Sequence, residues 1–165
     1  MREYAVEAVV LDKEPAGEQD LRVFLYSPEL GKIAAKVKSG RKITSKLAGH
    51  LEPLSIVDAR LIENGSFQIV DALARGKVHA RALPVLALLK EAVLEGQGDY
   101  YLWRLIQDEH ISVRDVLAAL GFDPAHATCG SCGSRHPSRF FYRELLFTCE
   151  RCMPSPAISR ACVAW

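Results

Sequence analysis

Apolar and polar positions alternate with a period of two over the first half of the chain. Tyr4–Leu11 is short and rich in β-branched residues, and the turn-rich run Asp12-Lys13-Glu14-Pro15-Ala16-Gly17 follows it. Leu21–Tyr26 is a second such run, ended by Ser27-Pro28. Gly31 opens a third, in which Lys32, Lys36 and Lys38 alternate with Ile33, Ala35 and Val37. That alternation puts the lysines on one face of a strand and the apolar residues on the other. Ser55–Ile62 and Phe67–Leu73 are the fourth and fifth runs, joined through the hairpin signal Asn64-Gly65. Five short strands before residue 78 predict a small barrel, with one long connection from Ser39 to Glu52. An oligonucleotide-binding (OB) barrel and an SH3-like barrel both satisfy this pattern.

From Leu83 the period changes to that of a helix. Val85, Leu86, Leu88, Leu89, Ala92 and Val93 fall on one stripe, with Pro84 in the first turn and Gly96 beyond the end. Tyr101, Leu102, Leu105 and Ile106 predict a second helix. Ser112, with Asp115 three residues on, predicts the start of a third that carries Val113, Val116, Leu117 and Leu120 and stops at Gly121. The chain is therefore expected to be α+β, with a barrel over residues 1–78 and a helical domain over 79–165.

The clearest chemistry lies near the C-terminus. Cys129-Gly130-Ser131-Cys132 and Cys149-Glu150-Arg151-Cys152 are two Cys-x-x-Cys pairs separated by 16 residues. Between them, Arg139–Arg143 and Leu145–Thr148 are suited to a hairpin that returns the second pair to the first. Four thiolates in that arrangement predict one closed, tetrahedral, structural Zn²⁺ site per chain, in a ribbon over residues 126–155. Iron also accepts four thiolates, but the ribbon spacing favours zinc. With the shell filled, His126 and His136 are expected at the surface, and Cys162 is expected to be an inert thiol.

Charge adds a second candidate site. The 165 residues carry a net charge of +1, 49% hydrophobic residues and 25% charged ones, so the chain has ample apolar surface for a core. Six cations, Lys32, Lys36, Lys38, Arg41, Lys42 and Lys46, occur with no carboxylate between Glu29 and Glu52. On a strand face and the Ser/Gly/Thr loop after it, they predict a phosphate-binding surface. Phe24 and Tyr26 share a face and are candidates either for base stacking or for the core. No nucleophile with a base, paired carboxylate or glycine-rich phosphate loop suggests an enzyme. No run approaches the roughly 20 apolar residues of a membrane span. A signal peptide is not evident at Met1-Arg2-Glu3-Tyr4, and five cysteines do not suggest a disulfide framework, so a cytoplasmic setting is expected.

Several segments resemble the RecO family of bacterial recombination mediators. They are Gly17–Ile33, Val37–Lys42 and Leu47-Ala48-Gly49-His50-Leu51-Glu52-Pro53-Leu54 in the first half. Leu117–Pro124 with Cys129–Gly133 resembles the entry to that family's zinc module, and Phe140–Cys152 its exit. The likeness covers most of residues 1–155. It implies an OB barrel, a helical domain, and a zinc module found in some members. It also implies binding of single- and double-stranded DNA, strand annealing, and partnership with RecR and single-strand-binding protein. RecA loading would be the downstream purpose, in a cytoplasmic, nucleoid-associated, non-catalytic role. Family DNA-contacting positions fall on Lys32, Lys38, Arg41, Lys42 and Lys46. The alternative is a protein-interaction adaptor, in which Phe140, Phe141 and Phe147 offer exposed apolar area on the ribbon and the barrel is only a scaffold.

Overall fold

The structure is a computed structural model that describes residues 1–42, 45–153 and 162–165. Strand β1 (Arg2–Ala16) is longer than the sequence pattern indicates. It pairs with β4 (Ser55–Asn64) along its first half and with β2 (Asp20–Ser27) along its second. A bulge between Val10 and Asp12 lets one strand turn this corner. The run Asp12–Ala16 is therefore strand, not turn. Its polar side chains face solvent and pair with cations, as Glu14 does with Arg22 at 3.5 Å. The turn itself is confined to residues 17–19, where Gly17 takes a φ of 80°.

The barrel closes in the order β1-β2-β3-β5-β4, with β3 at Gly31–Val37 and β5 at Ser66–Lys77. All neighbours are antiparallel except β3 and β5, which meet in a short parallel seam, Ala35 with Phe67 and Lys36 with Gln68. This is the connectivity of an OB barrel, and it settles the choice that periodicity left open. Inside, the period-two residues meet as expected: Leu25, Ile33, Leu61 and Ile69 are fully buried, together with Leu51 from the long β3–β4 connection.

A second core lies against the outside of the barrel. The bulge turns Val9 and Leu11 outward beside Tyr26, and α1 (Leu83–Ala92) packs there through Val85, Leu86, Leu88 and Leu89. Leu102, Trp103 and Ile106 of α2 (Tyr100–Gln107) and Val116 and Leu117 of α3 (Val113–Ala119) complete this layer. The helix starts are written locally. Asp99 accepts from the Tyr101 and Leu102 amides at 2.7 and 3.1 Å, and Ser112 accepts from that of Asp115 at 3.2 Å. The chain between α1 and α2 clasps the β2–β3 turn with no room for side chains. A Cβ on Gly98 would lie 2.2 Å from the Pro28 carbonyl oxygen, and one on Gly31 would lie 2.3 Å from the Gln97 backbone.

The same core continues into the C-terminal ribbon. β6 (Arg139–Phe141) and β7 (Leu146–Thr148) form the expected hairpin. A third strand, β8 (Cys162–Ala164), pairs on the other side of β6. Cys162 is thus a strand residue opposite Phe141, a role its isolated position in the sequence does not signal. Phe140 and Phe141 are buried, at 0% and 3% exposure, which corrects the expectation of an exposed aromatic surface on the ribbon. Phe140 sits 4.9 Å from Phe122 and 4.8 Å from Phe147, and Phe147 meets Trp165 edge-on at 5.4 Å. Among the described residues, no helix is long and apolar enough to cross a membrane.

Candidate nucleic-acid interface and metal centre

The lysines of β3 point outward as the alternation requires, yet the six cations do not share one environment. The Lys32 ammonium donates to the Lys90 carbonyl at 2.8 Å, tying β3 to the end of α1. Lys36 lies 2.7 Å from Asp20 on β2. The sequence gap between Glu29 and Glu52 thus overstates the uncompensated charge, because strand pairing brings a carboxylate across from β2. Lys36, followed by the Ser39 amide, holds the Asp20 carboxyl below its ordinary range.

The remaining four cations stay in the loop after β3. Lys38, Arg41, Lys42 and Lys46 are exposed, and none has an ion-pair partner among the described residues. Arg41 is held in place without losing its charge. Its guanidinium donates to the Gly17 and Glu18 carbonyls at 3.1 and 3.0 Å, and its amide donates to the Gln19 carbonyl at 2.9 Å. The loop is thereby pinned to the β1–β2 turn, one of the loops that frames ligand sites on OB barrels. Ile43 and Thr44, part of the same predicted stretch, lie outside the described residues.

The two aromatic candidates separate. Tyr26 is fully buried in the second core, and its hydroxyl donates to the Asp99 carbonyl at 3.3 Å. Burial pushes its phenol up to about 12. Phe24 is half-buried and lies under the Lys90 ammonium, 4.5 Å from its ring centre. Burial works against the Lys90 charge, but Asp12 at 2.7 Å and Glu14 at 3.7 Å outweigh it and raise the pKa.

At the other end of the molecule the four predicted cysteines converge. Their sulfur atoms all lie within 4.8 Å of one another. Cys132 and Cys149 are 3.7 Å apart, close to the edge of about 3.8 Å in a tetrahedron with 2.3 Å metal–sulfur bonds. Each pair is shaped by a tight turn. The Gly133 amide donates to the Cys129 carbonyl and the Cys152 amide to that of Cys149, at 2.8 and 3.1 Å. Amides of Cys149, Cys132 and Ser131 pointing at Cys129 draw its thiol down to about 6. The Cys152 amide lowers Cys149 in the same way. Neighbouring Cys132 and Cys149 sulfurs push Cys152 up to about 12. Amide dipoles therefore favour the first thiolates, and only a cation at the centre makes the last one favourable. The arrangement fits a soft divalent metal. His126 and His136 are exposed, as expected. Residues 154 and 155 of the predicted module lie outside the described residues.

Residues 1–77 match the family model described as the recombination protein O N-terminal region. The DNA repair protein RecO of Thermodesulfovibrio yellowstonii is 29% identical over 177 residues, covering 92% of this chain and 71% of that protein. RecO of Alkaliphilus metalliredigens is 25% identical, covering 88% and 70%. The chain thus resembles the RecO family, through the family model over its first 77 residues and through these relatives over most of its length. A third relative, RecO of Cutibacterium acnes, is 36% identical over 70 residues, 42% of this chain. All three relatives are named as DNA repair proteins, and the matching family model is described as that of a recombination protein.

The structure also adds residues that the sequence pattern does not single out. Arg22, Phe67 and Glu95 line a cleft with Phe24 and Lys36 on the outer face of β2 and β3. Phe67 was visible only as a strand residue after the Asn64-Gly65 turn. Glu95 arrives from the segment after α1, which bridges onto Gly31 and Lys32. No local signal announces a long-range contact of that kind.

Proposed function

We propose that this chain is a non-catalytic DNA-binding recombination mediator that grips phosphates with the loop after β3. One observation carries the reading: Lys38, Arg41, Lys42 and Lys46 project from one loop of an OB barrel with no carboxylate paired to them among the described residues. Lys38, Lys42 and Lys46 supply mobile positive charge, and Arg41, fixed on the β1–β2 turn, supplies a preset donor fork. Lys36, next to the loop on β3, and Lys32, farther along the strand, are secondary contacts. The Lys36–Asp20 pair is solvent-exposed and therefore weak, so a phosphate competes with it readily. Contacts of this kind bind single and double strands alike. That behaviour suits annealing of complementary strands and, with RecR and single-strand-binding protein as partners, RecA loading.

The four-cysteine cluster holds one Zn²⁺ in this reading. With Cys129, Cys132, Cys149 and Cys152 filling a tetrahedral shell, the ion has no open position for water, so its role is to fasten β6–β8. The test of the DNA reading is a fluorescence-anisotropy titration of labelled oligonucleotide against salt. About four phosphate contacts predict a slope near −3 for log K against log salt on single strands. Absence of binding at low salt would overturn the reading.

A further inference from the structure

The outer face of β2 and β3 holds a cleft of about 450 Å³ that the loop cations do not explain. It lies at the β3–β5 seam, where two residue pairs join the strands. Phe24 and Phe67 give it apolar surface, and Arg22, Lys36 and Glu95 give it charge. Both cations have carboxylate partners. Arg22 is 3.5 Å from Glu14, and Lys36 is 2.7 Å from Asp20. Glu95 has no ion-pair partner among the described residues, so its carboxylate is free to accept a hydrogen bond. Apolar ring surface beside an unpaired carboxylate suits a flat aromatic ring with hydrogen-bond donors on its edge. The volume is in the lower part of the small-molecule range.

The cleft is also continuous with the phosphate-binding loop. Lys36 lines it, and Lys38 follows two residues later, about 7 Å along the chain. A strand whose backbone lies on the loop is placed to turn a base into the cleft. We propose that this cleft binds one unstacked nucleobase of a single strand, and that Glu95 favours a base carrying an exocyclic amine. The proposal rests on the reading that the loop binds DNA. Phe67 supplies a stacking surface, and the Glu95 carboxylate accepts from the amine. Thymine presents one N–H between two carbonyl oxygens, which a carboxylate repels. Duplex bases, being stacked and paired, cannot enter. The cleft therefore adds affinity for single strands alone.

The test measures anisotropy of labelled dC12, dT12, an abasic dodecamer and a 12-base-pair duplex, with the wild-type chain, Phe67→Leu, Phe67→Tyr and Glu95→Gln. Phe67→Leu is expected to weaken dC12 binding about 5- to 50-fold. Duplex and abasic strand should stay within about twofold, and Phe67→Tyr should restore dC12. Wild type should prefer dC12 to dT12, and Glu95→Gln should bring the two together. Equal losses on dC12 and duplex with Phe67→Leu would overturn the base site while leaving the loop reading intact, as would wild-type affinity for the abasic strand equal to that for dC12. Equal wild-type binding of dC12 and dT12 would overturn the role of Glu95. If wild type binds none of the four, the DNA reading itself fails, and the base site with it.

Discussion

Replacing Phe140 by Ala tests whether the ribbon is part of the main core or an appendage on it. Phe140 is fully buried and packs between the tilted rings of Phe122 and Phe147. It belongs to one apolar cluster that runs from Val9, Leu11 and Tyr26 on the barrel, through the helices, to Val163 in the last strand. Truncating a buried phenylalanine costs about 3–5 kcal/mol, and two aromatic contacts place this site toward the upper end. For a chain of 165 residues each kcal/mol lowers Tm by about 2–4 °C, so a fall of about 8–20 °C is expected. The assay is thermal unfolding of the metal-loaded protein, followed by far-ultraviolet circular dichroism, which sees barrel and helices together. A single transition that moves as a whole is the expected result. A shift under about 4 °C, or a small early transition that leaves the main one in place, would refute the claim that barrel, helices and ribbon share this core.

Two further outcomes follow from named residues. Tyr26 keeps its proton to about pH 12 in the fold, whereas an unfolded phenol loses it near 10. Between those values the unfolded chain is the first to ionise, so stability falls as pH rises, by up to about 3 kcal/mol across the window. Denaturant midpoints at pH 8 and pH 11 should diverge more in wild type than in Tyr26→Phe, and an identical divergence would show that the phenol is not responsible. Metal analysis should find one zinc per chain, and a chelator should change the emission of Trp165, which touches Phe147 beside the cysteine cluster. A Trp103→Phe background isolates that signal. Zinc-free protein purified without chelator, or unchanged emission after metal removal, would contradict the tetrathiolate site.

Much of this architecture is legible along the chain wherever a local rule governs it. Period-two alternation gives β3 its inner Ile33, Ala35 and Val37, Asn64-Gly65 marks the β4–β5 hairpin, and Ser112 caps α3 through the Asp115 amide. Paired Cys-x-x-Cys spacing brings four sulfurs together because each knuckle and the hairpin between them are local structures. What the chain hides are contacts set by packing at a distance. Asp12–Ala16 looks like a turn in composition, yet the bulge at Val10/Asp12 keeps it paired with β2. Lys36 looks unneutralised until β2 places Asp20 beside it, and Lys32 until α1 offers it a carbonyl. The ribbon aromatics look exposed because no local pattern says that the helical layer covers them. For the binding surface, the loop was readable as a charge run, but the cleft was not, since Phe24, Phe67 and Glu95 come from three separate segments.

The most direct measurement compares wild type with Lys38→Glu plus Arg41→Glu in the salt-dependent anisotropy titration on single-stranded oligonucleotide. Wild type should bind at low salt with a slope near −3, and the double variant should bind at least about tenfold more weakly with a slope shallower by roughly 1.4. Unchanged affinity and slope in a variant that melts like wild type would contradict the assignment of the β3–β4 loop as the surface that holds DNA.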